Sequence, residues 1–285
     1  MERIDGPMPD AQTVSASNTA IFKLPIGGTY HELQLVIGGT GALLADIDEI
    51  RVLANEVLVH RCSATERDVI NRFDGRTAWN LSSNAALTIP FDRYGLENSQ
   101  VNERTALDTG PLVEGVAGPN ARQIRSLVVE VDINSGWPGD GTLKLYASQS
   151  ASRGGGAQEV LHLVKSPRSQ GGAGEEEYAD LPFADVRSQL VNRVLIGLSA
   201  NNLTRLKIDR DQKTVFDRTA AVNETINTDG LRVPISGYYG IDFTERGYAN
   251  ALLNLQGVRD FRYKLTADGA ANLTFLSEYI GGLGR

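Results

Sequence analysis

Residues 127–133 read Leu-Val-Val-Glu-Val-Asp-Ile, with an apolar residue at every odd position and the acidic residues Glu130 and Asp132 among the even ones. Successive side chains of a β-strand point to opposite faces of a sheet, so this alternation predicts a strand with one buried face and one wetter face. The stretch assigns this part of the chain to a β-sheet that is covered on one side.

Similar short runs rich in Val, Ile, Leu, Phe and Tyr lie on both sides of this stretch, and many of the 30 glycines fall between them. Glycine in such positions marks turns between strands. The runs predict eight strands in the first part of the chain, at residues 20–24, 32–37, 47–53, 57–61, 86–91, 126–133, 143–147 and 160–164. Seven more are predicted at residues 190–198, 203–208, 214–217, 231–235, 238–243, 257–265 and 273–279. Eight strands are the number in one jelly roll.

One short helix is predicted among these strands, over residues 63–73. Ser63 is followed three residues later by Glu66, and this pair is typical of a capping box at a helix start. The apolar residues Val69 and Ile70 follow, as expected for the buried side of a short helix.

The two halves of the chain repeat the same features in the same order. The matched segments are residues 24–38 with 181–197, 47–52 with 203–208, 56–61 with 213–218, 89–95 with 241–247, 125–131 with 259–265, and 142–146 with 272–276. A repeat in fixed order is typical of a duplicated fold. It predicts an all-β chain of two tandem eight-stranded jelly-roll β-barrels, a double jelly roll, with short helices in loops.

The predicted domain organisation has four parts: an N-terminal arm (residues 1–19), a first jelly roll (20–165), a linker (166–177) and a second jelly roll (178–285). The linker is predicted from Pro167, several glycines and three glutamates. The arm contains Pro7 and Pro9 among polar residues and lacks the basic start and apolar stretch of a secretion signal.

Composition excludes several classes of protein. The chain has 28 basic and 35 acidic residues, a net charge of -7, so we expect no direct binding of nucleic acid phosphates. We expect no transmembrane segment, because no apolar run approaches the roughly 18 residues that a membrane span needs. Cys62 is the only cysteine, which excludes an internal disulfide and fits folding in a reducing cytoplasm.

Motifs for catalysis, cofactors and metals are incomplete. The glycines at 38, 39 and 41 lack the third glycine of a dinucleotide-binding turn, because residue 44 is Leu. The triplet Gly154–Gly156 lacks the lysine of a phosphate-binding loop. The three histidines, His31, His60 and His162, are far apart in sequence, and His60 beside Cys62 defines no oriented catalytic pair. We therefore expect no catalytic residues, no metal site and no cofactor, and no enzyme activity.

Residues 22–30 read Phe-Lys-Leu-Pro-Ile-Gly-Gly-Thr-Tyr, and with the strand at 32–35 they resemble the opening of corticovirus major capsid proteins. A second resemblance covers Ala179–Pro182 and the strands through Asp209, and a weaker one falls at Glu278 and Tyr279. It implies a double jelly-roll major capsid protein of a membrane-containing icosahedral bacteriophage. Three copies would form a pseudo-hexameric capsomer, and such capsomers would tile the virion shell over an internal lipid membrane.

The same resemblance implies the partners and the location of the protein. Its partners would be further copies of itself, vertex or penton proteins, and membrane-associated virion proteins. It would be synthesised in the host cytoplasm and reside in the capsid shell of the virion.

Two other functions remain open at this point. One is a carbohydrate-binding or host-recognition β-sandwich, such as a spike, in which Trp79, Trp137, Tyr238 and Tyr239 would stack on sugars. The other is a β-sandwich hydrolase with a pair of carboxylates, which the sequence does not nominate.

Overall fold

The computed structural model describes residues 2–93, 103–118, 121–157, 159–200, 202–248 and 251–284. Residues 94–95 of the fourth matched pair lie outside this set. The chain divides into two compact units. The first comprises Met1–Asn71, Arg76–His162 and Gly282–Arg285, and the second comprises Arg72–Gly75 and Leu163–Gly281.

The first unit contains two sheets. Its strands are β1 (Arg3–Pro7), β2 (Thr19–Lys23), β3 (Gly28–Gly38), β4 (Ile47–Ala54), β5 (Val57–Cys62), β6 (Ala86–Pro90), β7 (Leu107–Asp108), β8 (Leu127–Ile133) and β9 (Thr142–Ala151), and helix α1 (Ala64–Phe73) follows β5. One sheet has the order β1-β9-β3-β6, with β7 also paired to β3, and the other contains the neighbours β5-β4-β8-β2. Strand β10 (Val160–Gln170) begins in this unit and continues into the next.

The second unit also contains two sheets. Its elements are β11 (Gly174–Tyr178), β12 (Leu190–Leu198), β13 (Leu203–Arg210), β14 (Lys213–Thr219), α2 (Ala220–Asn227), β15 (Tyr238–Asp242), β16 (Leu253–Asn254), β17 (Phe261–Ala267) and β18 (Ala271–Gly281). One sheet contains the neighbours β15-β12-β18, with β16 also on β12, and the other has the order β11-β17-β13-β14.

The two units have the same strand connections. The order β2-β8-β4-β5 recurs as β11-β17-β13-β14, and the order β6-β3-β9 recurs as β15-β12-β18. The short strands β7 and β16 pair with equivalent partners, and each unit has a helix between its equivalent hairpin and strand. All six matched sequence segments fall on equivalent strands, so the predicted duplication and the all-β double jelly roll are confirmed.

Each unit has its own hydrophobic core. In β8, every odd position from Leu127 to Ile133 is buried and every even one is partly exposed, as the alternation predicted. In the second core, the ring of Tyr263 contacts the rings of Phe261 and Phe275, with centroids 5.1 and 5.5 Å apart. Burial of these apolar faces is the main contribution to the stability of each unit.

Helix α1 starts as the sequence predicted. The backbone N–H of Ser63 donates to the Glu66 carboxylate (2.7 Å), and the N–H of Glu66 donates to the Ser63 hydroxyl (3.1 Å). This reciprocal capping box satisfies two backbone donors that would otherwise lack partners at the helix start. Helix α2 was not predicted, because its sequence has no such box.

Three expectations differ from the structure. Residues 231–235 are not a strand, because Pro234 has no amide hydrogen and Arg232 is the residue that points inward. Most of residues 166–177, expected as a flexible linker, belong to β10 and β11, and the boundary between the units falls inside β10. The N-terminal arm is not loose, because residues 3–7 form β1 and pair with β9. The limits 20–165 and 178–285 stay a prediction.

A matching turn closes the equivalent hairpin of each unit. Residues 55–56 and residues 211–212 all have φ between 48° and 66°, the left-handed region that two-residue hairpin turns require. The Asn55 side-chain oxygen accepts from the backbone N–H groups of Arg125 (2.7 Å) and Ser126 (3.3 Å). The Asp211 carboxylate accepts in the same way from those of Arg259 (2.9 Å) and Asp260 (3.1 Å). Each turn therefore ties its hairpin to the segment that precedes the neighbouring strand.

We expect Asn55→Ala to lower the free energy of unfolding by about 1–3 kcal/mol, because two backbone donors lose their acceptor and alanine disfavours positive φ. Urea unfolding followed by circular dichroism measures the change. The control is Asn55→Asp, which keeps the acceptor that the second unit uses at Asp211, and we expect it to lose less. An Asn55→Ala chain as stable as the unaltered one would contradict this role of the turn.

Candidate assembly surfaces

The pair formed by Cys62 and His60 is buried. The Cys62 sulfur lies 3.3 Å from His60 Nε2, and both side chains are shielded from water. Burial, together with the charge of Arg67, lowers the pKa of His60 well below its usual range. A substrate cannot reach this pair, so its role is packing of the first unit. His162 is also buried, and its Nε2 lies 3.0 Å from the Gly282 carbonyl oxygen.

His31 takes part in a cluster that sequence reasoning missed. Its Nδ1 lies 3.0 Å from Asp92 Oδ2, and its Nε2 lies 2.8 Å from the Ser150 hydroxyl. Arg3 donates to Asp92 and to Glu103, with both N···O distances 3.0 Å. Burial opposes ionisation of Glu103, but the hydrogen bond from Arg3 and the nearby positive charges together outweigh it and lower the pKa of that carboxyl.

This cluster fastens strand β1 to its sheet. The ligand atoms of His31, Asp92 and Glu103 lie within 4.8 Å of one another, a spacing at which such groups can hold a metal ion. The Arg3 guanidinium of β1 supplies positive charge to the two carboxylates. Four separate segments of sequence contribute these groups, so no local motif predicts them.

The four aromatic residues considered for sugar stacking do not form an exposed platform. Trp137 and Tyr239 are buried. Trp79 packs against the first core and donates from Nε1 to the Ala85 carbonyl (3.0 Å). Tyr238 is partly buried. These positions stabilise the two units, and they give no support to a carbohydrate-binding function.

The sheet β11-β17-β13-β14 carries a ladder of ion pairs on the face opposite the second core. Lys264 lies 2.7 Å from Asp209, Arg205 lies 2.6 Å from Asp217, and Lys207 lies 3.0 Å from Glu175. At the equivalent position in the first unit, Arg51 donates to a carboxylate on the neighbouring strand β8. Such half-exposed pairs add little stability each, but they keep these sheet faces polar and compatible with water.

A buried ion-pair network lies in the second unit. Arg193 Nη2 donates to Glu278 (2.8 Å), Arg193 Nη1 pairs with Asp74, and Asn192 donates to Glu278 (2.9 Å). Burial opposes the charge of Arg193, but Asp74 and Glu278 outweigh it and raise the pKa of the guanidinium well above its usual range. The network joins β12, β18 and the four-residue segment that ends α1.

The glycine triplet holds an apolar loop in place. The Val113 N–H donates to the Gly154 carbonyl (2.8 Å). A β-carbon at Gly154 would lie 2.8 Å from Val113, and one at Gly156 would lie 2.5 Å from Leu112, so only glycine allows this close approach. Leu112 and Val113 are nevertheless exposed on their outer sides, as is Val116. This loop is therefore a candidate contact surface for another protein.

Two family models of viral coat protein domains match the chain. The family model described as the viral coat protein P2 N-terminal domain matches residues 6–150, and that of the P2 C-terminal domain matches residues 160–283. No curated protein sequence matches the chain.

Solved structures share the fold. The major capsid protein P2 of bacteriophage PM2 is similar over 100% of this chain and 99% of its own, with 20% identity and a TM-score of 0.83. The major capsid protein of Sulfolobus turreted icosahedral virus is similar over 98% and 97%, with 10% identity and a TM-score of 0.67. The PBCV-1 protein VP54 is similar over 98% and 94%, with 9% identity and a TM-score of 0.62.

We expect Arg193→Met to lower the free energy of unfolding by about 3–5 kcal/mol, because it leaves the carboxylates of Asp74 and Glu278 buried without their cation. Thermal and urea unfolding measure the loss. The matched control is Arg205→Met, which removes an exposed guanidinium from the charged ladder and should cause a much smaller change. Equal losses of stability in the two variants would contradict the prediction that removal of the buried Arg193 cation costs more than removal of the exposed Arg205 cation.

We expect acid to weaken the charged ladder. Hydrogen bonds from Lys264 and Arg205 lower the pKa values of Asp209 and Asp217, respectively, below the ordinary 3.8. Because the unfolded chain then binds protons first as the pH falls, this stabilisation is complete above 3.8 and is lost as the pH falls through the folded-state pKa values.

Thermal unfolding between about pH 6 and pH 2 tests this expectation. The melting temperature should fall below pH 4, and Asp217→Asn should make that fall smaller because it removes one of the titrating groups. A profile for Asp217→Asn that runs parallel to the unaltered one throughout would contradict the assignment.

Proposed function

Since the chain belongs to the viral coat protein P2 family, we propose that three copies of this major capsid protein form a pseudo-hexameric capsomer. The protein is a structural component of the virion shell and not an enzyme. The observation that carries the proposal is the duplicated strand order, which gives one chain two equivalent units. Three chains then supply six such units, and a ring of identical subunits closes by symmetry.

In this proposal each barrel, expected over residues 20–165 and 178–285, occupies one of six positions in the capsomer. The capsomers tile an icosahedral shell over an internal lipid membrane, as the likeness to corticovirus capsid proteins implies. Vertex or penton proteins and membrane-associated virion proteins are the further partners.

The exposed surfaces of the chain support the proposed role as a subunit of a capsomer. The charged sheet faces are neutralised by cross-strand ion pairs, while aliphatic side chains such as Leu112 and Val116 are exposed. The net charge of -7 supports a shell that makes no direct contact with nucleic acid. Within the described part of the chain, no helix is both long and apolar enough to cross a bilayer.

We expect the purified protein to form a trimer of about 92 kDa, three times the 30.8 kDa of one chain. Size-exclusion chromatography with multi-angle light scattering measures this mass directly. Negative-stain micrographs of the same peak should show particles with a six-sided outline. A protein that stays monomeric at high concentration, and forms no sheets or shells, would overturn the proposal.

A further inference from the structure

The segment after α2 has a reversed pattern of burial. Leu231 is 61% exposed and Val233 is 48% exposed, whereas Arg232 between them is only 8% exposed. In an isolated soluble domain the opposite arrangement is expected, with the aliphatic side chains inside and the guanidinium in water.

The reversal is held by specific bonds. Arg232 donates from Nε to Asp242 (2.6 Å), from Nη1 to Asp229 (2.6 Å) and from Nη2 to the Thr244 carbonyl (3.0 Å). The Asp229 carboxylate also accepts from the backbone N–H groups of the segment itself. Because turning Leu231 and Val233 inward would break these buried ion pairs, the segment presents them outward as a fixed surface.

Helix α2 is reversed in the same way. Asn223 and Asn227, one turn apart, are buried and both donate to the Gly240 carbonyl, at 2.6 and 2.8 Å. Their neighbours Val222 and Ile226 are 50% and 37% exposed. The helix therefore places amides inside and aliphatic groups outside. We call the four side chains of Val222, Ile226, Leu231 and Val233 the reversed surface.

The equivalent helix of the first unit ends differently. The residues that end it, Arg72–Gly75, are part of the second unit. There the Phe73 ring lies against Gly240, the Phe73 carbonyl accepts from the Val233 N–H (3.0 Å), and Asp74 pairs with Arg193. Thus the end of one helix is covered within the chain, while the reversed surface beside the end of the other is open to solvent.

We infer that the first unit of a second copy of this chain covers the reversed surface. In a ring where first and second units alternate, each second unit has a first unit of the next chain as a neighbour. The residues that end α1 already have partners in the second unit, whereas the end of α2 is left to a neighbouring chain. The inference rests on the proposed trimer and names one part of its contact.

A photo-crosslinker tests which surface lies opposite. Val233→p-benzoylphenylalanine is incorporated, chains labelled with ¹⁴N and ¹⁵N are mixed and reassembled, and the products are sequenced by mass spectrometry after illumination. We expect crosslinks between the two isotopic forms that join residue 233 to peptides of the first unit, from residues 2–71 or 76–162. Crosslinks confined to one isotopic form, or intermolecular links to peptides of the second unit, from residues 72–75 or 163–281, would overturn the inference.

A pair of charged variants provides a second test. Leu231→Glu with Val233→Glu should leave the fold intact, because both side chains are already exposed, and should weaken trimer formation about a hundredfold. Val186→Glu changes an equally exposed valine of the same unit outside the reversed surface and should leave trimer formation unchanged. Circular dichroism and melting temperature verify folding, and light scattering across a dilution series measures association.

The outcomes separate this inference from the proposed function. If the unaltered chain forms no trimer, the proposed function is wrong and the inference is wrong with it. If the unaltered chain and the double variant trimerise equally well, the inference alone is wrong.

Discussion

Each sheet in this protein has one face of aliphatic and aromatic side chains that water excludes, and the architecture follows from covering that face. Within a unit, two sheets supply apolar faces to a common core, such as the one that contains Tyr263 and Phe275. The opposite face of β11-β17-β13-β14 is charged and paired strand to strand. An alternation of period two along strands such as β8 and β17 is enough to produce both faces, because a strand turns its side chains to the two sides in turn.

Duplication extends beyond strand order to individual hydrogen bonds. Asn55 and Asp211 occupy equivalent hairpin turns with the same positive φ, and each accepts two N–H groups from the segment before the neighbouring strand. The helices break this equivalence. Helix α1 starts with a capping box and is largely buried, whereas α2 turns its amides inward and its aliphatic groups outward. The two units are therefore equivalent in strand order but unequal in their helices.

Buried ion pairs in the second unit fix the positions of two segments, the one that follows α2 and the one that ends α1. Arg232 holds an apolar segment outward, and Arg193 holds the end of α1 against β12 and β18. Buried pairs of this kind contribute little net stability compared with apolar packing, but removal of one partner is costly. The effect of the Arg232 pairs is to fix the orientation in which Leu231 and Val233 are exposed.

The sequence by itself determined the strands with clear alternation, their order in the two halves, and the capping box of α1, because these depend on residues close together in the chain. It also placed the chain among coat proteins through residues such as Phe22–Tyr30. The polar strands β1 and β11 were not predicted, since backbone hydrogen bonds to distant strands hold them and their side chains show little of the pattern. Tertiary structure alone brought His31, Asp92, Glu103 and Arg3 together, and it alone turned Arg232 inward. Both results depend on partners from separate segments, whose distances no local pattern records.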